Sequence, residues 1–218
     1  ALAGFQMTIY TSFVQLSDLP DGFLELNNNI LTEQERIYAG AITDWLQQSE
    51  WRCGRILLRY LVASAYDVPI SGITIHCRSS GQLVAETPIG QVNVSHSRIP
   101  GVWAGATARA FPIGLDLVDV ADFPVDVNGD AISADTWATV EALAKVTQRG
   151  LDWALSANCY PVDGLLTAPS GERYRAAFLQ GLPIDVRGIV LVPVEHTCDV
   201  KEVDIIGEIN CHFNEFSE

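Results

Sequence analysis

The segment Phe111-Pro112-Ile113-Gly114-Leu115-Asp116-Leu117-Val118 is an apolar run with one acidic residue inside it. Its composition predicts a buried strand. A carboxylate inside such a strand is costly unless it is paired, hydrogen-bonded or bound to a metal. Gly114 and Asp116 share one face because strand side chains alternate, so we expect room for a ligand beside the carboxylate. The alternative is a carboxylate that caps a loop or pairs with an arginine.

Upstream of this strand, Asn93-Val94-Ser95-His96-Ser97 places a histidine between two hydroxyl residues near a strand end. Imidazole N–H and hydroxyl O–H groups can together bind an anion. The alternative is a surface loop with ordinary turn chemistry.

Downstream, Trp137, Glu141 and Lys145 are spaced i, i+4 and i+8, so they form one stripe on a helix. Glu141 and Lys145 also have the order that favours an exposed ion pair, which contributes only a few tenths of a kcal/mol. That ion pair is the alternative to a functional role.

The remaining elements follow from hydrophobic spacing and from turn and cap signals. Thr32-Glu33-Gln34-Glu35 fits a capping box that begins a helix to about residue 46. A second helix should begin near residue 49 and end at Asp67-Val68-Pro69. A third, capped by Ser133 or Asp135, should extend to about residue 155 after a loop at 122–130. We expect strands at residues 8–16, 73–77, 91–97, 102–109, 111–118, 165–166, 173–179 and 188–194.

This order of elements predicts an α+β fold. We expect an N-terminal lobe over residues 7–110 and a C-terminal lobe over residues 111–218. Met7 is the one methionine of the chain and reads like a native start, so residues 1–6 are left out of the prediction.

The composition excludes several partners. The 218 residues include 13 Lys and Arg against 27 Asp and Glu, which gives a net charge of −14. Residues 1–110 sum to −2 and residues 111–218 to −12. Such a chain lacks the positive surface that nucleic acids and anionic membranes require. The odd number of cysteines, five, without a CxxC pair, indicates buried thiols in a reducing compartment. We therefore expect a cytoplasmic protein, and a monomer.

In this order the three segments resemble the 4′-phosphopantetheinyl transferase superfamily, in its longer, two-lobed, surfactin-synthetase-activating class. The family carries an S-H-S-like element, an apolar G-x-D strand and a W-x-x-K-E-A-x-x-K helix followed by G-L. The matching residues here are Ser95-His96-Ser97, Gly114-Leu115-Asp116, Trp137…Glu141-Ala142…Lys145 and Gly150-Leu151. The segments at 31–36 and 54–59 are similar to helices of the family's first lobe, and the resemblance covers roughly residues 7–155.

The resemblance implies two similar lobes related by a pseudo-twofold axis, each a small antiparallel sheet packed with helices. It also implies transfer of phosphopantetheine from coenzyme A to a serine of a carrier protein, with Mg²⁺. Asp116 and Glu141 would hold the ion, and Lys145 would neutralise the pyrophosphate. Ser95 and His96 would bind the 3′-phosphate of coenzyme A.

Three positions depart from the family's pattern. Val118 stands where a second strand acid is common, Val140 replaces a lysine before the helix glutamate, and Gln82 replaces a first-lobe lysine. We expect Gln82 and Arg52 to contribute to coenzyme A binding in this chain, and Arg55, Arg78 and Arg98 are further candidates to replace the missing cationic contacts. The departures leave open a second hypothesis, a catalytically degenerate homologue that binds coenzyme A or a protein partner without transferase activity. The carrier protein and its pathway stay open.

Overall fold

In the computed structural model, the described residues are 7–127, 130–156, 161, 163–195 and 198–215. They form a mixed α+β fold with two larger sheets packed against helices. The described strands are β1 (Met7–Gln15), β2 (Thr74–Cys77), β3 (Leu83–Thr87), β4 (Gly90–Ile99), β5 (Val102–Ala108), β6 (Gly114–Asp119), β7 (Val125–Val127), β8 (Asp130–Ile132), β9 (Leu165–Thr167), β10 (Arg173–Phe178), β11 (Val186–Pro193) and β12 (Cys198–Glu202). The described helices are α1 (Phe23–Leu26), α2 (Glu33–Gly40), α3 (Trp45–Tyr66), α4 (Ala134–Thr147), α5 (Leu151–Leu155) and α6 (Ile205–Glu215).

The first sheet has the strand order β12-β1-β5-β4-β3-β2. Paired strands in this sheet are antiparallel, except that β12 pairs in parallel with β1. Helix α3 packs on this sheet through buried aliphatic side chains that include Leu57, Leu58 and Leu61. Ile205 and Ile209 of α6 belong to the same core. The division at residue 110 stays a prediction, but β12 and α6 belong to the layer of the first sheet.

The second sheet has the order β6-β11-β10-β9 and is antiparallel throughout. Helix α4 packs on it, and Leu143 and Val146 are buried with Ile189 and Leu191 of β11. A third core joins the two sheets, because alanines of β5 pack with apolar residues of β6 and β11. Strands β4 and β6 therefore lie side by side where the sheets meet.

Local sequence signals account for the ends of the helices. The capping box at Thr32 and Glu35 is confirmed, and Ser133 caps α4 by accepting the Thr136 N–H. Helix α3 begins earlier than predicted, because Asp44 accepts the Gln47 N–H. The single helix predicted to about residue 155 is two helices, because Gln148 has a φ of 60° and ends α4.

Some elements were not predicted. Helix α1, strand β3, strand β12 and helix α6 are absent from the predicted list, and the hairpin β7–β8 begins in the predicted loop and ends two residues beyond it. Cys53 is a buried free thiol, as predicted, whereas Cys77 is exposed. Residues 1–6 fall outside the described residues, as does Cys159, for which a buried thiol was predicted. Within the described part of the chain, no helix has the length and apolar character needed to span a membrane.

Candidate functional site

The close packing of α4 on β6 depends on Gly114. A Cβ atom at this position would lie 2.0 Å from the backbone oxygen of Ala142 and 2.8 Å from the backbone nitrogen of Val146. The prediction that Gly114 leaves room for a ligand is therefore wrong, because the helix backbone fills that space. The same contact brings the polar stripe of α4 beside Asp116.

Asp116 is buried on β6 with 1% of its surface exposed. Its Oδ1 accepts hydrogen bonds from Lys145 Nζ at 2.6 Å and from Ser97 Oγ at 2.8 Å. Lys145 Nζ also donates to the backbone oxygens of Leu115 at 3.0 Å and His96 at 3.4 Å. The lysine therefore ties α4 to both β4 and β6, rather than forming an exposed ion pair with Glu141.

Glu141 lies next to Asp116, one helical turn before Lys145. Its pKa is raised to about 7 by burial, by the charge of Asp116 and by a hydrogen bond to Asp116 that only protonated Glu141 can donate, whereas Lys145 and the indole of Trp137 oppose the shift. Asp116 Oδ2 is buried and has no hydrogen-bond donor among the described residues. Two ionised carboxylates in this position repel each other, so a shared proton or a cation stabilises the pair.

His96 on β4 has a neutral imidazole. Burial, and to a smaller extent the positive charges of Lys145, Arg55 and Arg98, lower its pKa to about 3. Part of the ring surface remains open to a cavity beside it. The charges of Lys145, Arg55 and Arg98 give this edge of the cavity a positive potential, which favours an anion.

The cavity has a volume of about 460 Å³ and lies where the two sheets meet. It is lined by the turn between β2 and β3, by β4 and by the C-terminal end of α4, with residues Ser80, Gly81, Gln82, Leu83, Val94, Ser95, His96, Ile113, Ala144, Lys145, Gln148 and Gly150. The structure thus brings four predicted site residues to one cavity: Gln82, Ser95, His96 and Lys145. Asp116 and Glu141 do not line the cavity themselves, but they lie next to Lys145, which does.

Two of these residues, Ser95 and Gln82, also form hydrogen bonds within the fold. Ser95 Oγ accepts the backbone N–H of Leu115 at 2.9 Å and so joins β4 to β6. The amide of Gln82 donates to Asn93 Oδ1 at 3.1 Å and accepts from Arg78 Nη1 at 2.7 Å. Gln82 therefore contributes a polar edge to the cavity, although its amide already has two partners.

Arg52 is not brought to this cavity. Its guanidinium donates to Asn28 Oδ1 at 3.1 Å and to the backbone oxygen of Leu24 at 3.3 Å, and it lines a separate cavity with Arg36. The face of α3 that packs on His96 is that of Gly54, two residues later. The arginine charges that act on His96 are those of Arg55 and Arg98.

Two oxygen donors fit a hard cation at the carboxyl pair: the unpaired Oδ2 of Asp116 and the carboxyl of Glu141. Mg²⁺ commonly takes one or two protein carboxylates and completes its coordination with phosphate and water. Over the described ranges, no three His, Cys, Asp or Glu side chains form a metal-binding group. Val118 is buried in the core, and Asp119 instead caps a turn by accepting the Ala121 N–H at 2.8 Å.

Sequence reasoning gave one residue around the site a different role and gave two others none. The hydroxyl of Ser97 was expected to bind an anion together with Ser95 and His96, but it donates to Asp116. Gly54 and Trp103 pack behind His96, and no pattern in a single sequence marks them.

In comparisons with known proteins, no family model and no curated protein matches this chain.

Proposed function

We propose that this chain transfers 4′-phosphopantetheine from coenzyme A to a serine of a carrier protein, as a divergent member of the 4′-phosphopantetheinyl transferase superfamily. One observation carries the proposal. Residues of three motifs far apart in the sequence come together: His96 and Lys145 line one cavity, and Asp116 and Glu141 lie beside Lys145. Their order in the chain is the order of the family's motifs.

The cavity suits the anionic end of coenzyme A. His96 lies in a positive potential produced by Lys145, Arg55 and Arg98. A phosphate bound there gains charge-assisted hydrogen bonds, which are stronger than those between neutral groups. By resemblance, His96 and Ser95 would bind the 3′-phosphate.

The carboxyl pair suits the pyrophosphate of coenzyme A, where the reaction takes place. Asp116 and Glu141 would hold Mg²⁺, which when bound neutralises charge on the pyrophosphate oxygens. Lys145 adds a fixed positive charge whose position is set by Asp116 and two backbone oxygens. The serine oxygen of the carrier forms a bond to phosphorus, and the bond from phosphorus to the departing 3′,5′-ADP oxygen breaks. The carboxylate of Glu141 would accept the serine proton, directly or through water.

We also propose that the two sheets are the two lobes of the family, related by a pseudo-twofold axis. In support, each sheet carries one long helix with a capped N-terminus: α3 follows Asp44 and α4 follows Ser133. The candidate site lies between them, where β4 meets β6.

A second candidate function is coenzyme A binding without transfer. Lys145 Nζ already has three acceptors, and the Gln82 amide is held by Asn93 and Arg78. Forming new bonds to a ligand requires these contacts to loosen, which favours binding with little catalytic power.

Labelling of carrier proteins with a fluorescent coenzyme A, in the presence of Mg²⁺, tests the transferase. We expect Asp116→Asn and Glu141→Gln each to lower the labelling rate about 100-fold or more, since each removes a charged group at the reacting centre. Asp119→Asn is the matched control, because this carboxylate is on the same strand but caps a turn. Absence of labelling across a panel of carriers, or normal labelling by Asp116→Asn, contradicts the proposal.

Calorimetric titration separates the two candidates. A transferase should bind coenzyme A more tightly with Mg²⁺ than with a chelator, and this gain should disappear in Asp116→Asn. Equal affinity with and without Mg²⁺ favours the second candidate. Failure to bind coenzyme A under either condition rejects both.

A further inference from the structure

Two arginines line a second cavity, which is separate from the candidate site. This cavity lies between the short turn at Asn28–Ile30, helix α2 and the N-terminal half of α3. It has a volume of about 320 Å³ and is lined by Asn28, Arg36, Ala39, Gly40, Gln48 and Arg52. None of these residues lines the cavity beside His96. The volume is sufficient for a small ligand.

Both guanidinium groups of the second cavity are held by one residue. Arg36 Nη1 donates to the backbone oxygen of Asn28 at 3.5 Å and also to that of Leu31. Arg52 Nη2 donates to Asn28 Oδ1 at 3.1 Å and to the backbone oxygen of Leu24 at 3.3 Å. Each arginine therefore uses one of its three nitrogens within the fold, and all of these acceptors are uncharged.

The other nitrogens of the two arginines are available to a ligand. In Arg36, Nε and Nη2 have no acceptor among the described residues, and their parallel N–H groups match two oxygens of an oxyanion. In Arg52, Nε and Nη1 are likewise unused within the described part of the chain. A guanidinium only donates hydrogen bonds, so the partner of these groups must be an acceptor.

The charges of the two arginines are not neutralised by the protein. Among the described carboxylates, none forms an ion pair with Arg36 or Arg52, whereas Arg59 of the same helix α3 binds Glu35 at 2.6 Å. The chain has 27 acidic residues against 13 basic ones, so acids are not scarce. Arg52 is half-buried, and solvent screens its charge less than that of an exposed arginine. An anion at this cavity would compensate both charges.

The C-terminal end of α2 also borders the second cavity through Ala39 and Gly40. Carbonyl oxygens at such a helix end disfavour an anion. The oxygen of Ala39, however, already accepts Gln48 Nε2 at 2.7 Å and the Ile42 N–H at 3.0 Å. The unused polar groups of the two arginines are therefore all donors.

We propose that the second cavity binds a phosphate dianion between Arg36 and Arg52. The Nε and Nη2 groups of Arg36 donate to two phosphate oxygens, and Nη1 of Arg52 donates to a third. The phosphate is free or is the end group of a small phosphate monoester, for which the cavity has additional room. This site goes beyond the proposed transfer and shares no residue with the carboxyl pair or with the cavity beside His96.

Titration with two probes, inorganic phosphate and glycerol 3-phosphate, tests the site. In protein labelled with nitrogen-15 arginine, we expect the Nε–H signals of Arg36 and Arg52 to shift together with a single dissociation constant. Arg36→Gln should lower the affinity at least about tenfold and Arg52→Gln about tenfold, since each removes charge-assisted hydrogen bonds. Arg36→Lys keeps the charge but loses the parallel donors, so its affinity should lie between those of wild type and Arg36→Gln. Tighter binding of glycerol 3-phosphate identifies a monoester as the ligand, and equal binding identifies the free ion.

Arg109→Gln is the matched control. Arg109 is exposed and donates to the backbone oxygen of Ile89 at 2.9 Å, and it too has no ion pair among the described residues, but it does not line the second cavity. Its substitution should leave the affinity unchanged. Arg55, whose charge acts on His96, reports phosphate in the other cavity, and its response should be the same in all variants.

The titration of the wild-type protein is decisive even where a variant is too unstable to study. Signals of Arg36 and Arg52 that do not move with either probe overturn the proposal. Equal affinity of wild type and a folded Arg36→Gln protein, with folding verified by urea unfolding, also overturns it. The experiment uses neither coenzyme A nor a carrier protein, so its result is independent of the proposed transfer.

Discussion

The two walls of the candidate site have opposite polarity. On the first-sheet wall, formed by Ser95 and His96, burial and nearby cations lower the pKa of His96 to about 3. On the second-sheet wall, formed by Asp116 and Glu141, burial and a neighbouring carboxylate raise the pKa of Glu141 to about 7. One wall therefore favours an anion and the other a proton or a cation. Lys145 bonds to both walls, and a ligand that brings phosphate together with a cation satisfies both.

The largest effect should come from separating the walls. In Gly114→Ala the new methyl group would lie 2.0 Å from a backbone oxygen of α4, which cannot move by a side-chain rotation. We expect a loss of about 3 kcal/mol in the free energy of unfolding, at the upper end of the range for overpacked cores. The helix must shift away from β6, so the pKa values of His96 and Glu141 should both return towards their ordinary values.

Urea unfolding and NMR titration measure these changes. Gly40→Ala serves as the control, because its added Cβ has no neighbour within 4 Å. It should change the free energy of unfolding by less than about 0.5 kcal/mol. A Gly114→Ala protein as stable as this control would show that α4 does not need the close approach.

A smaller effect should follow from removing the residue that joins the walls. Lys145→Met leaves Asp116 buried without its cation, and breaking a buried ion pair costs about 3–5 kcal/mol. The Lys145 side chain is 35% exposed, so solvent screening reduces the expected loss to about 2 kcal/mol. Because the lysine charge lowers the pKa of both His96 and Glu141, both pKa values should rise in this variant.

Lys201→Met is the matched control, since Lys201 is the other lysine of the chain and is exposed on β12. Adding Asp116→Asn to Lys145→Met should recover most of the lost stability, which a double-mutant cycle measures. No coupling between the two substitutions would argue against the ion pair as the link between the walls.

The smallest effect should be on the pH dependence of stability. The pKa of His96 is lower in the folded than in the unfolded protein, so its contribution to stability decreases as the pH falls below 6.5. The pKa of Glu141 is higher when folded, so its contribution increases as the pH falls from 7 towards 4.5. The two contributions oppose each other between pH 7 and pH 6.

In the wild type the two contributions partly cancel, so the change of stability with pH should be clearer in single variants that keep only one of the two groups. On acidification from pH 7 to pH 6, His96→Gln should gain stability and Glu141→Gln should lose it, each by less than about 1 kcal/mol. The partial exposure of Glu141 reduces its share through solvent screening. Urea unfolding at the two pH values measures both slopes, and slopes of the same sign would contradict the opposite polarity of the walls.

Local signals in the sequence were enough to predict much of the fold. The capping box at Thr32 and the cap at Ser133 lie within one helical turn of the helices they begin, so a single sequence contains them. Strand β12 was missed because its partner β1 is at the other end of the chain and its own residues are mostly polar and exposed.

The candidate site, like the fold, was only partly predictable from local signals in the sequence. Alternation along the strand correctly placed Gly114 and Asp116 on one face, but it did not say what fills the space above Gly114. Helical spacing likewise did not say which side of α3 faces the cavity, because the rotation of a helix is set by packing with distant residues. The candidate arginines therefore included Arg52, which binds Asn28 instead, as well as Arg55, whose charge acts on His96, and Gly54 was given no role.

The parallel pairing of β12 with β1 has a consequence for the order in which the protein forms during synthesis. Strand β12 lies after the whole second sheet in the sequence, yet it completes one edge of the first sheet. A ribosome-bound chain can therefore close the second sheet while the first still exposes the edge of β1. Such an edge is open to pairing with other chains until residues 198–202 emerge. The stage most at risk of aggregation is thus the whole interval between the formation of strands β1 to β5 and the emergence of β12.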